Sequence, residues 1–116
     1  MKTNKKQFNL FVEECKKWIK FFSLAEYRIE FFISDEANGT RGQTEGYGHL
    51  MAADIIFPTE LHKETDIRKI RKAAFHEVCE VMLLKLRKFG DDYYNFEIIN
   101  KEVHTVIRRL ENSIFN

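Results

Sequence analysis

The sequence predicts an α+β fold in which an N-terminal helix, a motif helix and a C-terminal helix pack on one face of a small, mostly antiparallel sheet. Three observations carry this expectation. Apolar residues recur at spacings of three and four near both ends of the chain, an alternating run rich in β-branched and aromatic residues begins at Tyr27, and a nearly continuous apolar stretch covers residues 73–84. A chain of 116 residues suits one core, so residues 1–116 read as a single domain. Hydrophobic residues at 44% exclude a disordered chain. The charges nearly cancel, to a net +1, which leaves no global field to recruit nucleic acid or a membrane surface.

Residues 3–22 form the first predicted helix, with Phe8, Phe11, Val12, Cys15, Ile19 and Phe22 on one stripe. Tyr27 to Ile33 alternates as a strand. Residues 35–48 hold four of the five glycines and are expected to be irregular or a loose hairpin connection. The apolar run from His49 to Phe57 supplies one bent strand or two short ones, ended by Pro58. Thr65 or Asp66 can cap the motif helix, which is expected to run from Ile67 to Phe89 and to stop at Gly90. The last helix starts near Phe96 and is expected to bury Ile99, Val103, Ile107, Leu110 and Ile114. The basic clusters at residues 2–6 and 68–72 read as solvated helix beginnings.

The motif helix carries the chemistry. Within Ala73–Leu84 the polar residues are His76, Glu77 and Glu80. Successive residues turn about 100°, so His76 and Glu80 lie on one face and can ligate one ion, while Glu77 points around the helix and can lean over a water activated by that ion. This is H-E-x-x-E, the logic of H-E-x-x-H with its second histidine replaced by glutamate. In an ordinary helix the same pair is a solvated contact worth a few tenths of a kcal/mol, but here the flanks are hydrophobic.

A catalytic zinc ion takes three protein ligands and leaves one position open. On the last helix His104 borders the buried face and is the expected third ligand. Glu97, seven residues earlier on nearly the same side, is the alternative ligand or a carboxylate supporting the His104 ring. Cys79 is close enough to the proposed site to be weighed as a ligand but reads as a small buried hydrophobe, and Cys15 and Cys79 both read as reduced thiols in helices.

The order of helix, strands, an H-E-x-x-[HE] helix and a final helix with another ligand resembles the minimal zinc metallopeptidases of the gluzincin type, including SprT-like and phage-encoded metallopeptidase-like proteins. The specific part of the resemblance is Ala74-Phe75-His76-Glu77-Val78-Cys79-Glu80 and Glu102 to Leu110. It implies His76 as a zinc ligand and Glu77 as general base of a peptidase. The family's second motif histidine falls on Glu80, so Glu80 and His104 exchange the usual roles. It also implies an edge strand that pairs with an extended peptide, for which Leu50 to Phe57 is the expected segment, and a donor to the oxyanion, for which Tyr47, His49, Tyr93 and Tyr94 are available.

The reading is therefore a zinc-dependent metallohydrolase acting on a peptide or protein. The alternatives are a catalytically inactive, zinc-stabilised protein-binding module, or a metal-free core in which Arg or Lys satisfies His76 and Glu80. No stretch reaches the ~20 apolar residues of a membrane span and no signal-peptide core is present, so a cytoplasmic protein is expected, with neither nucleic acid nor membrane as partner. The resemblance to phage-encoded proteins implies a phage origin in a bacterial host.

Overall fold

Asn4 starts the first helix by reciprocal capping. Its side chain accepts the Gln7 N–H at 2.8 Å, and the Gln7 side chain accepts the Asn4 N–H at 2.9 Å. In the computed structural model, which describes residues 1–47 and 50–115 and only the backbone of Asp91, the elements that follow are α1 (Lys5–Phe21), β1 (Arg28–Ser34), a 3-10 turn (Asp35–Ala37), β2 (Gln43–Tyr47), β3 (Ala52–Pro58), α2 (Ile67–Met82), α3 (Leu84–Tyr93) and α4 (Phe96–Phe115). The class is α+β, with a three-stranded sheet followed by three helices packed together.

The strands lie in the order β1-β3-β2, with β1 parallel and β2 antiparallel to β3. The sheet is thus mixed, where a mostly antiparallel one was expected. The chain reverses between β1 and β2 and again between β2 and β3, and β3 fills the gap between its predecessors, so two reversals bring it parallel to β1. Ile55, Ile56 and Phe57 are all buried, as suits a central strand with a partner strand on each edge. The expected peptide-binding edge at residues 50–57 is corrected by this order: most of that segment is the central strand, and β1 and β2 are the edges.

Helices cover the sheet face that carries Ala53, Ile55 and Phe57. Phe11 of α1 stacks on Phe57 with ring centroids 4.5 Å apart, and Trp18 meets Phe75 of α2 edge-on at 4.8 Å. Phe115 reaches back to Phe75 at 5.4 Å. In α4 it is Val103, Ile107 and Glu111 that are buried, while Ile114, expected in the core, is exposed.

Asp66 caps α2 by accepting the Lys69 N–H at 2.9 Å. The helix ends at Met82, short of the expected Phe89, and α3 follows after Leu83. Gly90 lies inside α3 and is no stop. A Cβ there would sit 2.6 Å from Ile99 Cδ1, so the missing side chain lets α3 approach α4. Among the described residues no helix is long and apolar enough to cross a membrane.

Candidate metal centre

Helices α2 and α4 run antiparallel. Arg68 near the start of α2 reaches the Phe115 carbonyl at 2.9 Å, His76 meets Glu111, and Glu80 meets His104. His76 and Glu80, one turn apart on α2, therefore face the α4 turn that carries His104. The Oε1 atom of Glu80 lies 3.6 Å from His76 Nε2 and 3.2 Å from His104 Nε2. One donor atom from each residue lies within 4.8 Å of the other two, and the group can hold a metal ion.

The second nitrogen of each ring is occupied elsewhere. His76 Nδ1 is 3.3 Å from Glu111 Oε2, and His104 Nδ1 is 2.8 Å from the Asn100 carbonyl one turn earlier. A neutral ring that donates from Nδ1 to these acceptors presents the lone pair of Nε2 toward Glu80, the arrangement that orients metal-ligating histidines. Three donors at ~2.0–2.1 Å from one tetrahedral ion would stand roughly 3.3–3.4 Å apart. The two separations from Glu80 Oε1, 3.6 and 3.2 Å, bracket that figure.

Glu80 is shared. Arg87 of α3 donates from Nη2 to Glu80 Oε2 at 3.0 Å, so one oxygen is neutralised by a guanidinium and the other is left to the histidines. Burial raises the Glu80 carboxyl, but His76, Arg87 and His104 together outweigh it and hold the group below the ordinary carboxylate range. For His76, burial lowers the imidazole, yet contact with Glu80 and the charges of Glu77, Glu111 and Glu80 push it up to about 9.

Glu77 stands about 100° round the helix from His76, with which it lines one cleft. It is buried, and its Oε1 accepts a 2.8 Å hydrogen bond from Thr44 Oγ1 of the edge strand β2. Gly42 lies against the same side chain, where a Cβ would come 3.0 Å from Glu77 Cγ. Burial raises the carboxyl to about 7, against the lowering influence of His76 and Thr44. Glu77, His76 and Glu111 line a cleft of about 500 Å³ between α2, α4 and the segment preceding β2.

Of the residues that sequence reasoning named, His76, Glu80 and His104 come together as a group that can hold an ion, and Glu77 lines the adjoining cleft with His76. Glu97 lies exposed in the first turn of α4, with its N–H bonded to Asn95 Oδ1 and its carboxylate outside the trio. Among the suggested oxyanion donors, Tyr47, Tyr93 and Tyr94 are exposed, and His49 is outside the described residues. Glu111, Thr44 and Arg87 were missed. Glu111 was within reach of the same spacing argument, because it stands seven residues after His104 just as Glu97 stands seven before it. Comparison of the chain with protein-family models, curated proteins and solved structures gives no match, so what the site does is argued from its own geometry.

Proposed function

We propose that the chain is a zinc-dependent hydrolase of peptide bonds, in which His76, Glu80 and His104 hold the ion and Glu77 is the general base. The observation that carries this reading is the paired orientation of the two imidazoles, each with Nδ1 engaged and Nε2 turned to the same carboxylate oxygen. Two imidazoles and one carboxylate are a donor set that suits zinc. When bound, zinc supplies Lewis acidity, which polarises a carbonyl and makes water acidic near neutral pH.

The chain's own residues supply the rest. Thr44 fixes Glu77 Oε1, which leaves Oε2 to take a proton from the water that adds to the carbonyl carbon. Glu77 then returns the proton to the nitrogen as the C–N bond breaks, yielding one carboxylate and one amine. A carboxyl poised at about 7 can both accept and release a proton at neutral pH. The outer edge of β2, whose Thr44 touches Glu77, is where an extended peptide can pair through main-chain hydrogen bonds.

Arg87 favours a second reading. A guanidinium already neutralises Glu80, as in a polar cluster needing no ion or a metal site kept for stability in a protein-binding module. One set of measurements separates these. Elemental analysis of protein purified without a metal-affinity tag is expected to give about one zinc per chain, lost in His76→Ala and His104→Ala. Glu77→Gln is expected to keep the zinc and lose at least about a hundredfold in hydrolysis of a casein-derived peptide mixture. Absence of zinc from folded protein supplied with the ion leaves the polar cluster; zinc without hydrolysis leaves the binding module.

A further inference from the structure

The cleft beside Glu77 has a positive rim. Its lining includes Arg41 from the segment before β2, Lys72 one turn before His76 on α2, and Arg108 one turn after His104 on α4. Arg41 and Arg108 are exposed and Lys72 is half-buried. None of the three forms an ion pair or hydrogen bond with a described residue, while the other charged groups of the cleft are engaged: Glu111 by His76, and Glu77 by Thr44. The chain as a whole carries only +1, so three uncompensated cations around one cleft are a local feature and no reflection of a basic protein.

Because α2 and α4 are antiparallel, Lys72 and Arg108 lie on opposite sides of the His76–Glu111 contact along the groove, and both line the same cleft. Arg41 closes the third side, at the end of the cleft where β2 begins. A peptide paired with the edge of β2 would carry one of its flanking groups to this rim. Guanidinium and ammonium groups at the wall of a concave, partly desolvated site bind a carboxylate through charge-assisted hydrogen bonds.

Building on the hydrolase reading, we infer that Arg41, Lys72 and Arg108 form an anion subsite beside Glu77 that selects peptides carrying a carboxylate next to the bond to be cut. That carboxylate is either an acidic side chain or the free C-terminus, because both present the same two-oxygen acceptor.

The test uses the full chain loaded with zinc and carrying Glu77→Gln, so that binding is read without turnover. Three acetylated hexapeptides are titrated by nuclear magnetic resonance: one amidated with a central Glu, its Gln counterpart, and the Gln peptide with a free C-terminus. At least one carboxylate-bearing peptide is expected to bind about tenfold or more tightly than the amidated Gln peptide, with shifts at the amides of residues 40–42, 72 and 108. Whichever carries the preference identifies the source of the carboxylate. Arg108→Ala and Lys72→Ala, with spectra showing the fold intact, are each expected to remove most of that difference.

Equal binding of all three peptides, or shifts that map away from the cleft, would overturn the subsite. With the unsubstituted enzyme, loss of the three cations should raise KM for acidic substrates. A fall in kcat at unchanged KM would mean that they serve the transition state, which also overturns the proposal. Failure of the hydrolase reading looks different: carboxylate peptides would still bind at the cleft but would never be cut by the protein with Glu77 in place.

Discussion

His76 has a carboxylate behind it as well as in front. Glu111 is buried on α4 and lies 3.3 Å from His76 Nδ1, on the opposite side of the ring from Glu80. A carboxylate in that place fixes the tautomer and strengthens the Nε2 donor, and its removal from comparable sites costs roughly 10- to 100-fold in metal affinity. Glu111→Gln keeps an acceptor but loses the charge, while Glu111→Ala loses both. Competition with a chromophoric chelator should rank zinc affinity as wild type, then Gln, then Ala, with Ala weaker by about 10- to 100-fold. Equal affinities would mean that His76 is not oriented by Glu111. The trio itself was legible because two ligands lie four apart on one helix and the third borders an apolar stripe. Glu111 was passed over because, within the stripe of Val103, Ile107 and Ile114, an acidic residue reads as surface. Only the partner across the groove makes its burial intelligible.

At the scale of elements, the site depends on where β2 lies. Gly46 of that strand faces Leu84 at the start of α3, and a Cβ at Gly46 would fall 2.1 Å from Leu84 Cδ2 and 2.8 Å from its Cγ. The branch point of Leu84 and not just a flexible tip is in the way, so the leucine must change rotamer or the strand must move. Gly46→Ala is expected to destabilise the protein by about 1–3 kcal/mol in urea unfolding, although alanine normally suits a strand at least as well as glycine. Adding Leu84→Ala should recover part of the loss, giving a favourable coupling in the double-mutant cycle. Additive effects would show that the contact is not what requires glycine. The sequence disclosed the polar, glycine-rich character of residues 35–48 but not the strand within it, since Gln43 to Tyr47 lacks the apolar alternation by which strands are recognised. The break between α2 and α3 was hidden for a related reason. Leu83 and Leu84 continue the apolar run without a glycine or proline, and Gly90, the one visible breaker, serves the α3–α4 approach.

Across the whole molecule, the donors come from two helices far apart in sequence. Glu80 and His76 are on α2, which also packs against α1 and β2, whereas His104 is on α4, whose buried side chains number three: Val103, Ile107 and Glu111. Zinc binding would therefore tie a lightly anchored helix to the centre of the core. An ion that binds only the native state stabilises it by RT ln(1 + [Zn]/Kd), about 2.7 kcal/mol when free zinc is a hundred times Kd. Hydrogen exchange resolves which openings feel that energy. Detachment of α4 breaks the site, so amides between residues 103 and 111 should gain protection on adding zinc, along with core amides of β3 that exchange only on global unfolding. Openings that leave the site intact, such as fraying of the first turn of α1 at Lys5, should gain little. Protection gained by α2 but not α4 would mean that the ion sits on His76 and Glu80 alone, with His104 outside its shell. Protection gained by both helices would place the ion between them, and chelation should then release α4 first, before the core of α1, α2 and the sheet.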